Sequence, residues 1–136
     1  MSIKILIIDD EEDITKMLKN FLEIEGFEVD TCNDPTKAMS FVEKEHYSVV
    51  MTDIKMPQMS GLDLLKQIKA YDGLTQVIVM TGFVTMENIL TAFRRGANNV
   101  FFKPFENMDL LKKEIDFAVS RMDRVRQVLK ELASSK

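Results

Sequence analysis

The spacing of the apolar residues switches back and forth along this chain between short continuous runs and a helical repeat, five times over. Ile3 to Ile8 is a run rich in β-branched residues, broken only by Lys4. Ile14, Met17, Leu18, Phe21 and Leu22 then recur at helical spacing, and Gly26 follows as a stop. Glu28 to Cys32 alternates polar and apolar, as an edge strand does. Asp34-Pro35 opens a second helix, with Asp as N-cap and Pro at the first helical position, and Ala38, Met39, Phe41 and Val42 follow. Ser48 to Thr52 reads as a buried strand, and Leu62, Leu65 and Ile68 mark the third helix. Val77 to Met80 is a further buried strand. Thr85 starts a fourth helix through Ile89, Leu90 and Phe93 that ends at Gly96. Val100 to Phe102 is the fifth strand, and a last helix begins near Asn107. Strands alternating with helices imply a parallel sheet covered on both faces, the doubly wound α/β class. Strands covered on both sides need no polar alternation, which explains the runs at Ile3, Val49, Val77 and Val100.

The length, 136 residues, suits one such domain. The formal charge is −4, with 18 basic and 22 acidic residues and no basic block, so direct nucleic-acid binding is not expected. The longest apolar runs are strand-sized, and no membrane span is expected. A single cysteine, Cys32, makes no internal disulfide and fits a reducing compartment. The first residues lead into a strand and then acids, unlike a secretory leader, so the expected location is cytoplasmic.

In open α/β sheets ligands bind outside the carboxyl ends of the strands. Asp9 and Asp10 follow the first strand, Asp53 the third, Thr81 the fourth and Lys103 the fifth. Glu11, Glu12 and Asp13 are explained by the first turn of a helix, where negative charge is favoured. Asp9 and Asp53 are not, because each continues a buried strand. Carboxylates crowded there need a counter-charge. Mg2+ takes oxygen ligands, one or two carboxylates among them, and a substrate phosphate. Lys103 adds positive charge, and Thr81 offers a hydroxyl to a phosphoryl oxygen. Asp53, alone at its strand end, is the candidate nucleophile toward phosphorus. Asp9 and Asp10 are paired, as metal ligands would be.

Four motifs carry a resemblance: Ile8-Asp9-Asp10-Glu11, Asp53-Ile54-Lys55-Met56-Pro57-Gln58-Met59-Ser60-Gly61, Met80-Thr81-Gly82, and Lys103-Pro104-Phe105. With a βα unit between each, the chain resembles the receiver domain of bacterial two-component response regulators, over residues 3 to about 118. The resemblance implies a flavodoxin-like (βα)5 fold with strand order 2-1-3-4-5. It implies that Asp53 takes a phosphoryl group from a sensor histidine kinase or phosphotransfer protein. Asp10 and Asp53 would ligate Mg2+ directly and Asp9 through water, with the Lys55 main-chain carbonyl as a further ligand. Thr81 and Lys103 would contact the phosphoryl oxygens, and Lys103-Pro104 would be a cis peptide. The chain would be a signalling module that catalyses only its own phosphorylation and dephosphorylation. Phosphorylation would draw Thr81 and Lys103 inward and shift the face of the fourth helix, fifth strand and fifth helix. The family pattern has Tyr or Phe three residues before the lysine, where this chain has Val100. Phe102 lies on the same side of that strand and is the candidate replacement in the switch. Lys55 and Phe83, two positions past Asp53 and Thr81, bear on the lifetime of the phosphoryl group.

The last helical pattern runs to about Ala133, about 40 Å at ~1.5 Å per residue, against ~17–20 Å for a strand. Leu111, Ile115, Ala118, Met122, Val125, Leu129 and Leu132 form a heptad seam. The first three are expected on the sheet. Met122, Val125, Leu129 and Leu132 are expected to need another partner, a twin helix in a homodimer or an output domain. The expected division is a receiver at 1–119 and a helical extension at 120–136. His46 stands alone, with no metal-ligand spacing around it, and reads as a surface residue. Competing functions are a Mg2+-dependent aspartyl-phosphate phosphatase, a flavin carrier and a degenerate receiver. The phosphatase expects Asp-x-Asp and a cap insertion. The carrier needs a phosphate loop where this chain has acids. The degenerate receiver would lack site residues that are all present here.

Overall fold

The computed structural model describes residues 3–82 and 85–135. Five strands, β1 (Lys4–Ile8), β2 (Glu28–Cys32), β3 (Val49–Asp53), β4 (Gln76–Thr81) and β5 (Asn99–Phe102), alternate with five helices, α1 (Glu12–Ile24), α2 (Ala38–Lys44), α3 (Gly61–Tyr71), α4 (Met86–Arg94) and α5 (Met108–Ser134). All pairings are parallel and the order is β2-β1-β3-β4-β5, so β2 is an edge strand as its alternation predicts. Phe83 lies outside the described residues. No helix among the described residues is long and apolar enough to cross a membrane.

Side chains on successive strand residues point to opposite faces, and the core divides accordingly. Leu6, Ile8, Val50, Val77 and Val79 face α2, α3 and α4 through Val42, Leu65, Ile68 and Ala92. Ile5, Ile7, Val49, Met51 and Ile78 face α1 and α5 through Leu18, Leu22, Leu111, Ile115 and Ala118. Helix ends follow local chemistry. Asp34 accepts from the Thr36 N–H, but the turn it caps is a 3-10 turn at Pro35–Lys37 that leads into α2. Ser60, Thr85 and Asn107 cap α3, α4 and α5 with their side chains. Gly26 stops α1 at φ +97, a conformation disfavoured for residues with a Cβ.

The α5 seam divides one turn later than its spacing suggests. Met122 is 1% exposed and belongs to the packed domain, so it needs no outside partner. Val125, Leu129 and Leu132 are exposed, as is Val128 beside them.

Candidate functional site

The carboxyl ends of β1, β3, β4 and β5 meet at one edge of the sheet, because every crossover returns the chain to the opposite edge. Asp9 is fully buried just past β1. Its N–H is held by the Cys32 carbonyl at 3.1 Å, and its Oδ1 accepts the Glu11 N–H at 2.9 Å. Asp53 ends β3 at 4% exposure, and its Oδ1 lies 3.4 Å from the Lys55 N–H. Asp10, the residue after Asp9, is exposed. Oxygens from Asp9, Asp10 and Asp53 lie within 4.8 Å of one another. Thr81 is fully buried at the end of β4.

Lys103 enters from beyond β5, where the peptide to Pro104 is cis. Its ammonium bridges Asp9 Oδ2 and Asp53 Oδ2, the latter at 3.0 Å, and stands 3.6 Å from Glu11. Glu11 is therefore more than an acid in a helical first turn; it extends the anionic surround of this lysine. Burial raises the Asp9 carboxyl above its ordinary range, despite the opposing bonds from Lys103 and the Glu11 N–H. Burial alone would lower Lys103; its bonds to Asp9 and Asp53 outweigh that and raise it. Three close carboxylates outnumber the one ammonium that bridges two of them. A set of hard oxygen donors, two buried and one open to solvent, fits a small divalent cation that keeps some of its waters.

Two further residues position the site, one outside the motifs and one inside them. Asn33 donates to the Asp9 carbonyl at 2.8 Å and to Thr15 Oγ1 at 3.0 Å, tying the end of β2 to the turn that carries the acids. Only strand pairing brings it there. Gly61 donates its N–H to the Ile54 carbonyl at 2.8 Å and sits so close that a Cβ would run into the Asp53 carbonyl. Its place in the Asp53–Gly61 motif was the available signal.

On β5, register sets Val100 opposite Val79 and Phe102 opposite Thr81. Val100 packs against the α2–α4 side of the core. Phe101 packs against the α1–α5 side, while Phe102 is 58% exposed at the sheet edge. The ring offered as a replacement for the missing aromatic thus stands in solvent, level with Thr81.

A family model described as the response regulator receiver domain matches residues 5–115. The sporulation initiation phosphotransferase F of Bacillus subtilis (strain 168) is 34% identical over 116 residues, covering 83% of this chain and 94% of that protein. The regulatory protein AtoC of Escherichia coli (strain K12) is 33% identical over 129 residues, covering 95% of this chain. This chain spans only 27% of AtoC and about half of other curated regulators that it matches. Among solved structures, a response regulator receiver domain protein from Clostridium thermocellum superposes with a TM-score of 0.85 at 35% identity, covering 90% of this chain and 98% of that one.

Proposed function

The chain belongs to the response regulator receiver domain family, and from that premise we propose that it is a phosphorylation-controlled switch with Asp53 as the acceptor. The observation that carries this reading is the Lys103 ammonium bridging two buried carboxylates, with a third within 4.8 Å. An oxygen of Asp53 attacks the phosphorus of a phosphohistidine on a sensor kinase or phosphotransfer protein. The P–O bond forms as the P–N bond breaks, and the imidazole leaves. Water later attacks the acyl phosphate, returning the carboxylate and inorganic phosphate.

In this reading Asp10, Asp53 and the Lys55 carbonyl would hold Mg2+, with Asp9 acting through water. Bound Mg2+ would neutralise charge gathering on the phosphoryl oxygens. Asp9 keeps Lys103 aimed into the site. Lys103 then exchanges its bond to Asp53 for one to the phosphoryl group, and the Thr81 hydroxyl donates to another phosphoryl oxygen. Phosphorylation adds about −1.5 to −2 of charge, which both residues answer by moving inward. Val100 and Phe102 carry that movement to the α4–β5–α5 face. A Val100→Tyr variant tests the aromatic part: equal activation with and without the ring leaves Val100 sufficient.

The test of the acceptor is incubation with acetyl phosphate and Mg2+. Wild type should gain one hydroxylamine-labile phosphoryl group and Asp53→Ala none; labelling that survives the substitution would move the acceptor elsewhere. We further propose a cytoplasmic receiver that reaches no nucleic acid itself. The residues beyond about 119 act as a helical extension toward a twin helix or an output domain. Because Met122 packs into the domain, the informative truncation ends at Arg124. Sedimentation of the full chain as a dimer and of the truncation as a monomer supports pairing through Val125, Leu129 and Leu132.

A further inference from the structure

At the end of the sheet opposite Asp53, the extension of α5 meets the receiver through charged side chains. Arg126 Nη2 lies 3.1 Å from His46 Nε2, and His46 Nδ1 lies 3.7 Å from Asp72 Oδ2. His46 stands just before β3, Asp72 caps the end of α3, and Arg126 lies one turn past the buried Met122. Three segments far apart in sequence therefore converge on one imidazole.

A guanidinium only donates, so in the contact with Arg126 the Nε2 atom is the acceptor, a role the ring can fill only in its neutral form. The proton then sits on Nδ1, facing the Asp72 carboxylate. Asp72 is itself fixed, since its Oδ1 accepts the Leu74 N–H at 2.9 Å. A cleft of about 280 Å³ opens beside the ring, so protons reach it freely.

We infer that His46, Arg126 and Asp72 form a charge-sensitive latch, which docks the α5 extension onto the base of the sheet while His46 is neutral and releases it when His46 takes up a proton. Protonation removes the acceptor that His46 offers to Arg126 and sets two cations face to face. The surroundings do not rescue the pair. On the α3 side, Lys69 lies within electrostatic reach of Arg121 and has its ammonium on the Gly73 and Thr75 carbonyls. On the α2 side Glu43 and Lys44 flank the cleft, and the Glu45 carboxylate is held by Lys4 at 3.2 Å. Asp72 is the anion that faces the ring, and a protonated His46 binds it more strongly while Arg126 swings out. The contact stands apart from the phosphoryl site and holds whether or not Asp53 is the acceptor.

Amide hydrogen exchange on the whole 136-residue chain tests the latch, read as protection factors for residues 122–130. Arg126→Met keeps helix propensity and removes the contact. It should lower protection there about two- to fivefold at pH 8, the size of one exposed ionic contact. Wild type should show the same drop on moving from pH 8 to pH 5.5. His46→Gln offers an amide that accepts without titrating, and its protection should not change between those pH values. Equal protection in Arg126→Met and wild type at pH 8 would overturn the latch. A pH response that persists in His46→Gln would overturn the assignment of the sensor. Labelling by acetyl phosphate, run in parallel, separates this outcome from a failure of the acceptor reading.

Discussion

Replacing Asp10 by Asn should make the metal-free protein more stable, although it removes a residue assigned to the site. Oxygens of Asp9, Asp10 and Asp53 lie within 4.8 Å of one another. Two unit charges at that distance repel by about 3.5 kcal/mol at an effective dielectric of ~20 and about 0.9 kcal/mol in bulk water. Asp10 is exposed, so each of its two repulsions lies toward the lower figure. Attraction to the nearby Lys103 ammonium offsets part of the sum, leaving about 1 kcal/mol of relief. For a chain of this length that raises Tm by roughly 3–5 °C. The assay is thermal unfolding in EDTA at low ionic strength. About 1 M salt should erase most of the difference, since the Debye length falls to ~3 Å. Mg2+ should then reverse the order. At ten times its Kd a ligand adds about 1.4 kcal/mol to the native state that binds it, and the variant has lost a ligand. A variant melting at or below wild type in EDTA refutes the charge-crowding argument. Equal Mg2+ protection of both proteins refutes the assignment of Asp10 to the metal.

Gly61→Ala should cost roughly 2–4 kcal/mol in denaturant unfolding, because its Cβ meets the Asp53 carbonyl rather than a flexible side chain; an unchanged midpoint would show that α3 can slide away. Gln58 holds φ at 73, so Gln58→Gly should stabilise by about 0.5–1 kcal/mol in the same assay. The raised Asp9 carboxyl makes metal-free stability fall as pH rises from the ordinary carboxylate value of 3.8 through the higher folded value, and Asp9→Asn should flatten that slope. Lys103, raised above 10.5, contributes stability that is fully present below that pH and lost above it; urea midpoints against pH in EDTA read both effects.

The sequence made strand ends legible because two signals coincide there: an apolar run stops, and a charged or hydroxyl residue follows. Asp9, Asp53, Thr81 and Lys103 all obey that rule; Lys103 bonds Asp9 and Asp53, and Thr81 ends the strand paired with β3. Strand order was legible only through the resemblance, since apolar spacing does not say which strands are neighbours. Asn33 was missed because its partner Thr15 is 18 residues away and neither carries a motif. A heptad seam does not reveal where the sheet beneath it ends, so the sequence groups the buried Met122 with the exposed Val125. His46 and Arg126 are 80 residues apart, and nothing local distinguishes them from other surface charges.

The ammonium lodged between Asp9 and Asp53 has a consequence for how the chain survives scarcity. Zinc-finger domains unfold when a chelator strips their ion. Here the lysine already spans two of the acids, so starvation for magnesium should silence signalling without exposing the backbone to proteases. The switch would wait intact and resume when the ion returns, with no new synthesis required.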